Sequence, residues 1–147
     1  MNSMGTGGIG DIESYLTTRV GLHRKVGMKA FAMDARAVLE LLDSRQLDEF
    51  FCRFHDNASF RFGSQAPVQG KDNIAAYVAA FLNTVQSMRH TVHREMMSDD
   101  TVVIVGDATY HMTNGKVATL PFCDTWKISS DYRIVDYCVY SDPTPLA

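Results

Sequence analysis

Long hydrophobic runs are missing from this chain. No apolar stretch approaches the length needed to span a bilayer, so a membrane protein is not expected. Basic runs are missing too. With a net charge of −3 and no lysine- or arginine-rich stretch, nucleic acid is not an expected partner. Cysteine is scarce: Cys52, Cys123 and Cys138 are odd in number and far apart. They read as free thiols in a reducing compartment and not as a disulfide frame or a zinc site. The opening MNSMGTGGIGDIESYL lacks the basic and apolar segments of a secretory signal, which points to a cytoplasmic location. No glycine loop for a phosphate is present. His90 and His93 are close in sequence, but on a strand that spacing sends the two rings to opposite faces. Neither a cofactor nor a metal is therefore expected.

What is there is ordinary in amount and ordered in pattern. The chain has 147 residues, 46% hydrophobic and 21% charged, enough for one domain with a real core. Residues 1–27 read as a partly flexible N-terminal extension, with a short helix over 11–20 and a connector carrying His23, Arg24 and Lys25. Residues 28–147 read as the folded domain. Phe31, Ala35, Val38, Leu39 and Leu42 form one stripe of a helix over 28–42. A second helix is predicted over 44–54 and a short strand over 59–62. A third helix is predicted over 72–85, with Ile74, Tyr77, Val78, Phe81, Leu82 and Val85 on its buried stripe. From His90 onward the period changes to two, giving strands near 90–97, 101–113, 116–128 and 132–141. Helices first and an antiparallel meander after them make an α+β fold, a curved sheet closed on one face by three helices around a cavity.

Asn114-Gly115 between two alternating runs is a strong hairpin signal. A two-residue turn there pairs Thr113 with Lys116. It places Val103, Val105, Asp107, Thr109 and His111 on one face with Ala118, Leu120, Phe122, Asp124 and Trp126. Bulky apolar groups mixed with ionisable ones suit the floor of a ligand pocket. The opposite face would carry Ile104, Tyr110, Met112 and Cys123, an apolar patch suited to a homodimer packed through its outer sheet faces.

Several stretches resemble the cone-shaped superfamily named for nuclear transport factor 2, which includes SnoaL-like polyketide cyclases, ketosteroid isomerases and scytalone dehydratases. The carriers are LDSRQLDEFFCRFHDNASFRF, QGKDNIAAYVAAF, MRHTV, NGKVATLPFCDTWKI and RIVDYCVYSDPTPL. Set against ketosteroid isomerase, Asp124 falls at the oxyanion-hole aspartic acid. Phe62 stands where the base should be and Val38 where the tyrosine should be, so that mechanism is not expected. The Arg–Asp pair of limonene epoxide hydrolases is not found. Scytalone dehydratase is the closer likeness: His90 and His111 match its histidine pair and Asp43 its pocket aspartate. Leu42 and Phe62 replace its two tyrosines.

The candidates follow. His111 is placed inward by the hairpin register, as a general base. A two-residue turn at Asp99-Asp100 puts His90 opposite Thr109, beside His111; a three-residue turn would put His93 inside instead. Asp43 either orients an imidazole or caps the next helix with Gln46. Asp124, between Phe122 and Trp126, should have a raised pKa and act as an acid or donor. Asp107 is its neighbour, and the two could equally form a structural cluster with Arg94. Tyr137 could bind a substrate oxygen or pack as core. Phe62, Trp126, Phe122 and Leu42 are expected to line the pocket. The resemblance implies a cofactor-free lyase, isomerase or cyclase acting by His/Asp proton transfer on a small apolar polyketide, terpenoid or aromatic compound. A non-catalytic ligand-binding module or accessory subunit of the same fold is the alternative.

Overall fold

The computed structural model describes residues 33–147; the helix expected over 11–20, the connector after it and the first turn of the next helix lie outside the described residues. Helix α1 is Ala35–Asp43, capped by the Asp34 side chain, which accepts from the Ala37 N–H at 3.2 Å. Helix α2 is only Leu47–Phe51. Ser44 and Arg45 form a turn, Arg45 has a positive φ of 63°, and Phe54 opens a strand instead of closing the helix. That strand, β1, is Phe54–Phe62 and starts well before the expected Ser59. A two-residue β2, Val68–Gln69, precedes helix α3, Lys71–Leu82. The long strands β3 (Val85–Ser98), β4 (Thr101–Met112), β5 (Val117–Ile128) and β6 (Ile134–Tyr140) complete the chain, with a 3₁₀ turn at Thr144–Leu146.

The sheet runs in the order β2-β1-β6-β5-β4-β3 and is curved. It is mixed, not wholly antiparallel, because β1 lies parallel to β6, with Phe60 opposite Tyr137. The hairpin signals in the sequence describe only neighbours in the chain; a pairing between the first long strand and the last leaves no such mark. The three helices of the described residues close the concave face. Phe50, Phe54, Leu39, Ile74, Ile104 and Trp126 are fully buried between the layers.

Two one-residue shifts decide which side chains face that interior. The first is the hairpin turn. The Gly115 N–H bonds Met112 O at 3.0 Å, the Met112 N–H bonds Lys116 O at 2.8 Å, and of the turn residues only Gly115 has a positive φ, 89°. The loop is therefore Thr113-Asn114-Gly115, three residues long. Thr113 leaves the ladder because its N–H and hydroxyl both bond Thr84 O, at 3.0 and 3.2 Å. Tyr110 thus faces Ala118, Ala108 faces Leu120 and Ile104 faces Asp124. The slip turns β4 over. Ile104, Ala108, Tyr110 and Met112 are buried inside; Val103, Val105, Asp107, Thr109 and His111 point outward. The β5 face was read correctly.

The second shift is a bulge at His93. The turn at Asp99-Asp100 is the two-residue alternative, with Ser98 opposite Thr101 and Arg94 opposite Val105. Beyond it Val92 faces Gly106, so His93 is the extra residue. His90 then faces Ala108, not Thr109. The two shifts cancel at His90, which stays inside. The expected outer apolar patch does not survive: Ile104, Tyr110 and Met112 are core, and only Cys123 faces out. Among the described residues no helix is long and apolar enough to cross a membrane.

Gly106 sits under the bulge. A Cβ there would lie 2.1 Å from Thr91 O and 3.1 Å from Phe122 Cε1. Gly106→Ala is expected to lower unfolding stability by about 1–3 kcal/mol in a urea titration, the usual cost of overpacking a close contact. An unchanged midpoint would contradict the bulge register.

Candidate active site

Asp43 ends α1. An acidic residue there opposes the helix dipole, at a cost of about 0.3–1 kcal/mol. It is compensated across the layer. One carboxylate oxygen accepts the His90 backbone N–H at 2.7 Å, and the other meets His90 Nδ1 at 2.6 Å. Each such charge-assisted bond contributes about 1.5–3 kcal/mol. The expected capping box does not form; Gln46 instead bonds the Ser44 hydroxyl at 2.8 Å. A carboxylate only accepts, so Nδ1 carries the proton and Nε2 keeps its lone pair. Phe122 holds the other side of the ring edge-on, with centroids 5.3 Å apart.

His90 forms part of the wall of a cavity of about 130 Å³ between helices and sheet. Leu42, Phe62, Phe122, Asp124 and Tyr137 also line it. Trp126 does not; it is fully buried behind Tyr137, ring centroids 4.8 Å apart. On its other side His90 lines an open polar cleft with Arg36, Glu40, Asp43 and Arg89. The Asp43–His90 pair is thus the partition between an apolar interior and a solvent-facing groove.

Asp124 is 1% exposed and the only buried charged residue among those described. Neither carboxylate oxygen has a hydrogen-bond partner, nor has Trp126 Nε1. Burial pushes its pKa up to about 7, although the Tyr137 hydroxyl, His90 and the Trp126 N–H all pull the other way. Burial and the Asp124 charge raise Tyr137 well above the ordinary tyrosine value, and Tyr110 likewise, so both remain hydroxyl donors. An unpaired buried carboxyl costs several kcal/mol unless it is neutral or has a ligand. Such groups gather at functional sites.

Besides Trp126, two candidates are not brought to this site. His111 is exposed on the outer face near the strand end, and Asp107 lies further back along β4 on that same face, 2.8 Å from Nε2 of the bulged His93. The hairpin slip explains both, and it leaves Arg94 exposed too, so no Arg94–Asp124 cluster exists. Residues not proposed from sequence as site residues also line the cavity: Tyr110, Tyr77, Gln65, Phe60, Met88 and Pro143. Tyr110 was hidden by the register. Tyr77 lay on the predicted buried stripe of α3, and only its hydroxyl, which donates to Gln65 Oε1, hinted at a polar task. Among the described residues no group of three or more His, Cys, Asp or Glu is placed to hold a metal.

Residues 35–137 match the family model of the SnoaL-like domain. The chain belongs to the SnoaL-like domain family. Solved structures agree on the fold of this SnoaL-like domain. A nuclear transport factor 2-like protein of unknown function from Burkholderia pseudomallei has a TM-score of 0.69 at 18% identity, over 74% of this chain and 88% of that one. A protein from Shewanella denitrificans named for its likeness to SnoaL-like polyketide cyclases gives 0.66 at 13%, over 74% and 88%. A ketosteroid isomerase-like fold from Catenulispora acidiphila, in complex with trimethylamine, gives 0.57 at 14%, over 62% and 71%. No curated protein matches the sequence.

The Asp124 shift has a direct consequence for the SnoaL-like domain. Its folded pKa is raised from 3.8 to about 7, so between those values the folded protein holds a proton that the unfolded chain has released. Stability should therefore fall as pH rises through this window and level off above it. Relative to Asp124→Asn, which has no charge to bury, wild type should lose on the order of 4 kcal/mol at 1.36 kcal/mol per unit. Parallel pH–stability curves for the two proteins would rule this out.

Proposed function

We propose that this SnoaL-like protein is a cofactor-free acid–base enzyme of the lyase, isomerase or cyclase type. Its substrate is a small, uncharged, largely apolar compound with a carbonyl or hydroxyl group, of terpenoid, aromatic or polyketide character. The observation that carries the reading is the pair of bonds from Asp43 to His90 beside a cavity that also holds Asp124. A cavity of about 150 Å³ admits benzene, so the space here fits one ring-sized part of a substrate.

In this mechanism His90 Nε2 takes a proton from the carbon beside the substrate carbonyl. The C–H electron pair moves into the new C=C bond and the carbonyl oxygen gains charge. The neutral Asp124 carboxyl donates a hydrogen bond to that oxygen, with the Tyr137 or Tyr110 hydroxyl as a second donor. The proton on Nε2 then goes to a different carbon in an isomerisation, or to a departing hydroxyl that leaves as water in an elimination. In a ring closure the enolate carbon attacks a second carbonyl, whose oxygen takes the proton. The Asp43 carboxylate holds the imidazolium that forms. The imidazole fixed in one tautomer beside the cavity favours this reading over a passive carrier.

Deuterium uptake from heavy water into a panel of small enolisable cyclic ketones, followed by NMR, tests the reading without knowledge of the final product. Wild type should accelerate exchange for at least one member. His90→Ala should reduce that rate by about 10²–10⁴, the usual contribution of a general base. Asp43→Asn should reduce it too, while His111→Ala and His93→Ala leave it within twofold. Exchange that persists without His90, or that vanishes without His111, would refute the assignment.

A further inference from the structure

The acid–base reading uses Asp124 in its neutral form; the cavity also has a use for the ionised form. Its lining contains Asp124 and His90 but no lysine or arginine. Both Asp124 oxygens are buried and unpartnered. Aromatic rings make up much of the lining of the same cavity. Phe60 packs between Tyr77 and Tyr137, with centroids 5.7 and 5.3 Å away, and Phe62 stands 6.5 Å from Phe81. Ring faces carry negative potential and attract cations within about 6 Å. A carboxylate without a counter-ion inside such rings is complementary to one class of ligand above others.

We propose that this cavity binds a small alkylammonium ion, with ionised Asp124 as its counter-ion and the ring faces as its cage. An anion would meet Asp124 with no cation to offset it. A neutral ligand of the same shape could fill the space but would leave the carboxylate charge unbalanced. The volume of about 130 Å³ suits a nitrogen bearing three or four methyl-sized groups. The titratable groups that face Asp124 are His90 from β3, Tyr110 from β4 and Tyr137 from β6, with Asp43 behind His90 and Tyr77 across the cavity on α3. Both Tyr110 and Tyr137 stay neutral because burial and Asp124 raise them. Asp124 is therefore the group whose ionisation gates the cation. Below its pKa of about 7 the ligand must displace a proton, and affinity should weaken about tenfold per pH unit.

The test is calorimetric titration of the full chain with tetramethylammonium chloride, whose charge does not titrate, and with tert-butanol as a neutral counterpart of similar size. At about pH 8.5 tetramethylammonium should bind at least tenfold tighter than tert-butanol. At about pH 5.5 it should bind more than tenfold weaker than at about pH 8.5 and release close to one proton per ligand, while tert-butanol is unaffected. Asp124→Asn should remove the preference for the cation. Equal binding of the two probes, or cation binding that ignores pH, would overturn the proposal. The wild-type pH series decides even if the variant does not fold. No turnover is involved, so failure here is separate from failure of the exchange assay.

Discussion

Two bonds between Asp43 and His90 connect the helix layer to the long strand β3, and the interior depends on them. They fix the end of α1 against the sheet and compensate an acidic residue at the unfavourable end of a helix. They choose the tautomer of the one histidine that faces the cavity among the described residues. They also fix the register locally, because the backbone N–H and the ring of the same residue are held by one carboxylate. The neighbouring bulge is braced from the same helix: Arg36 donates to Val92 O at 3.1 Å and pairs with Glu95 at 3.5 Å.

The cavity has a second, opposite constraint. Asp124 is held inside without a partner, between Phe122 and Trp126, in a place where a valine or leucine would be more stable. A fold carries such a cost where it does chemistry or binds something. One acidic group is thus paired in the partition, and the other, raised by burial to about 7, stands unpartnered at the cavity. Those different surroundings suit the first to orienting an imidazole and the second to acting as an acid or counter-ion.

The fold class was legible because helical stripes and the later period-two strands are strong signals, and the motif resemblance reinforced them. Asp43, His90 and Asp124 were legible as well, but for unequal reasons. Asp124 follows from the alternation of β5 alone. His90 was placed inside by a register that misses both a three-residue turn and a bulge, and the two errors cancel there. At His111 and Asp107 only the turn error acts, so these residues were put on the wrong face. Nothing local marks Thr113 as leaving the ladder, because its partner Thr84 is distant in sequence. The β1–β6 pairing was invisible for the same reason.

The catalytic reading stands on Asp43 holding His90 with Nδ1 protonated, which leaves the Nε2 lone pair free. Long-range nitrogen–proton correlation NMR on the uniformly labelled protein reads the tautomer of each histidine directly. Neutral His90 should be the Nδ1–H tautomer in wild type and become a mixture in Asp43→Asn. A wild-type His90 with its proton on Nε2, unchanged by the Asp43 substitution, would contradict it.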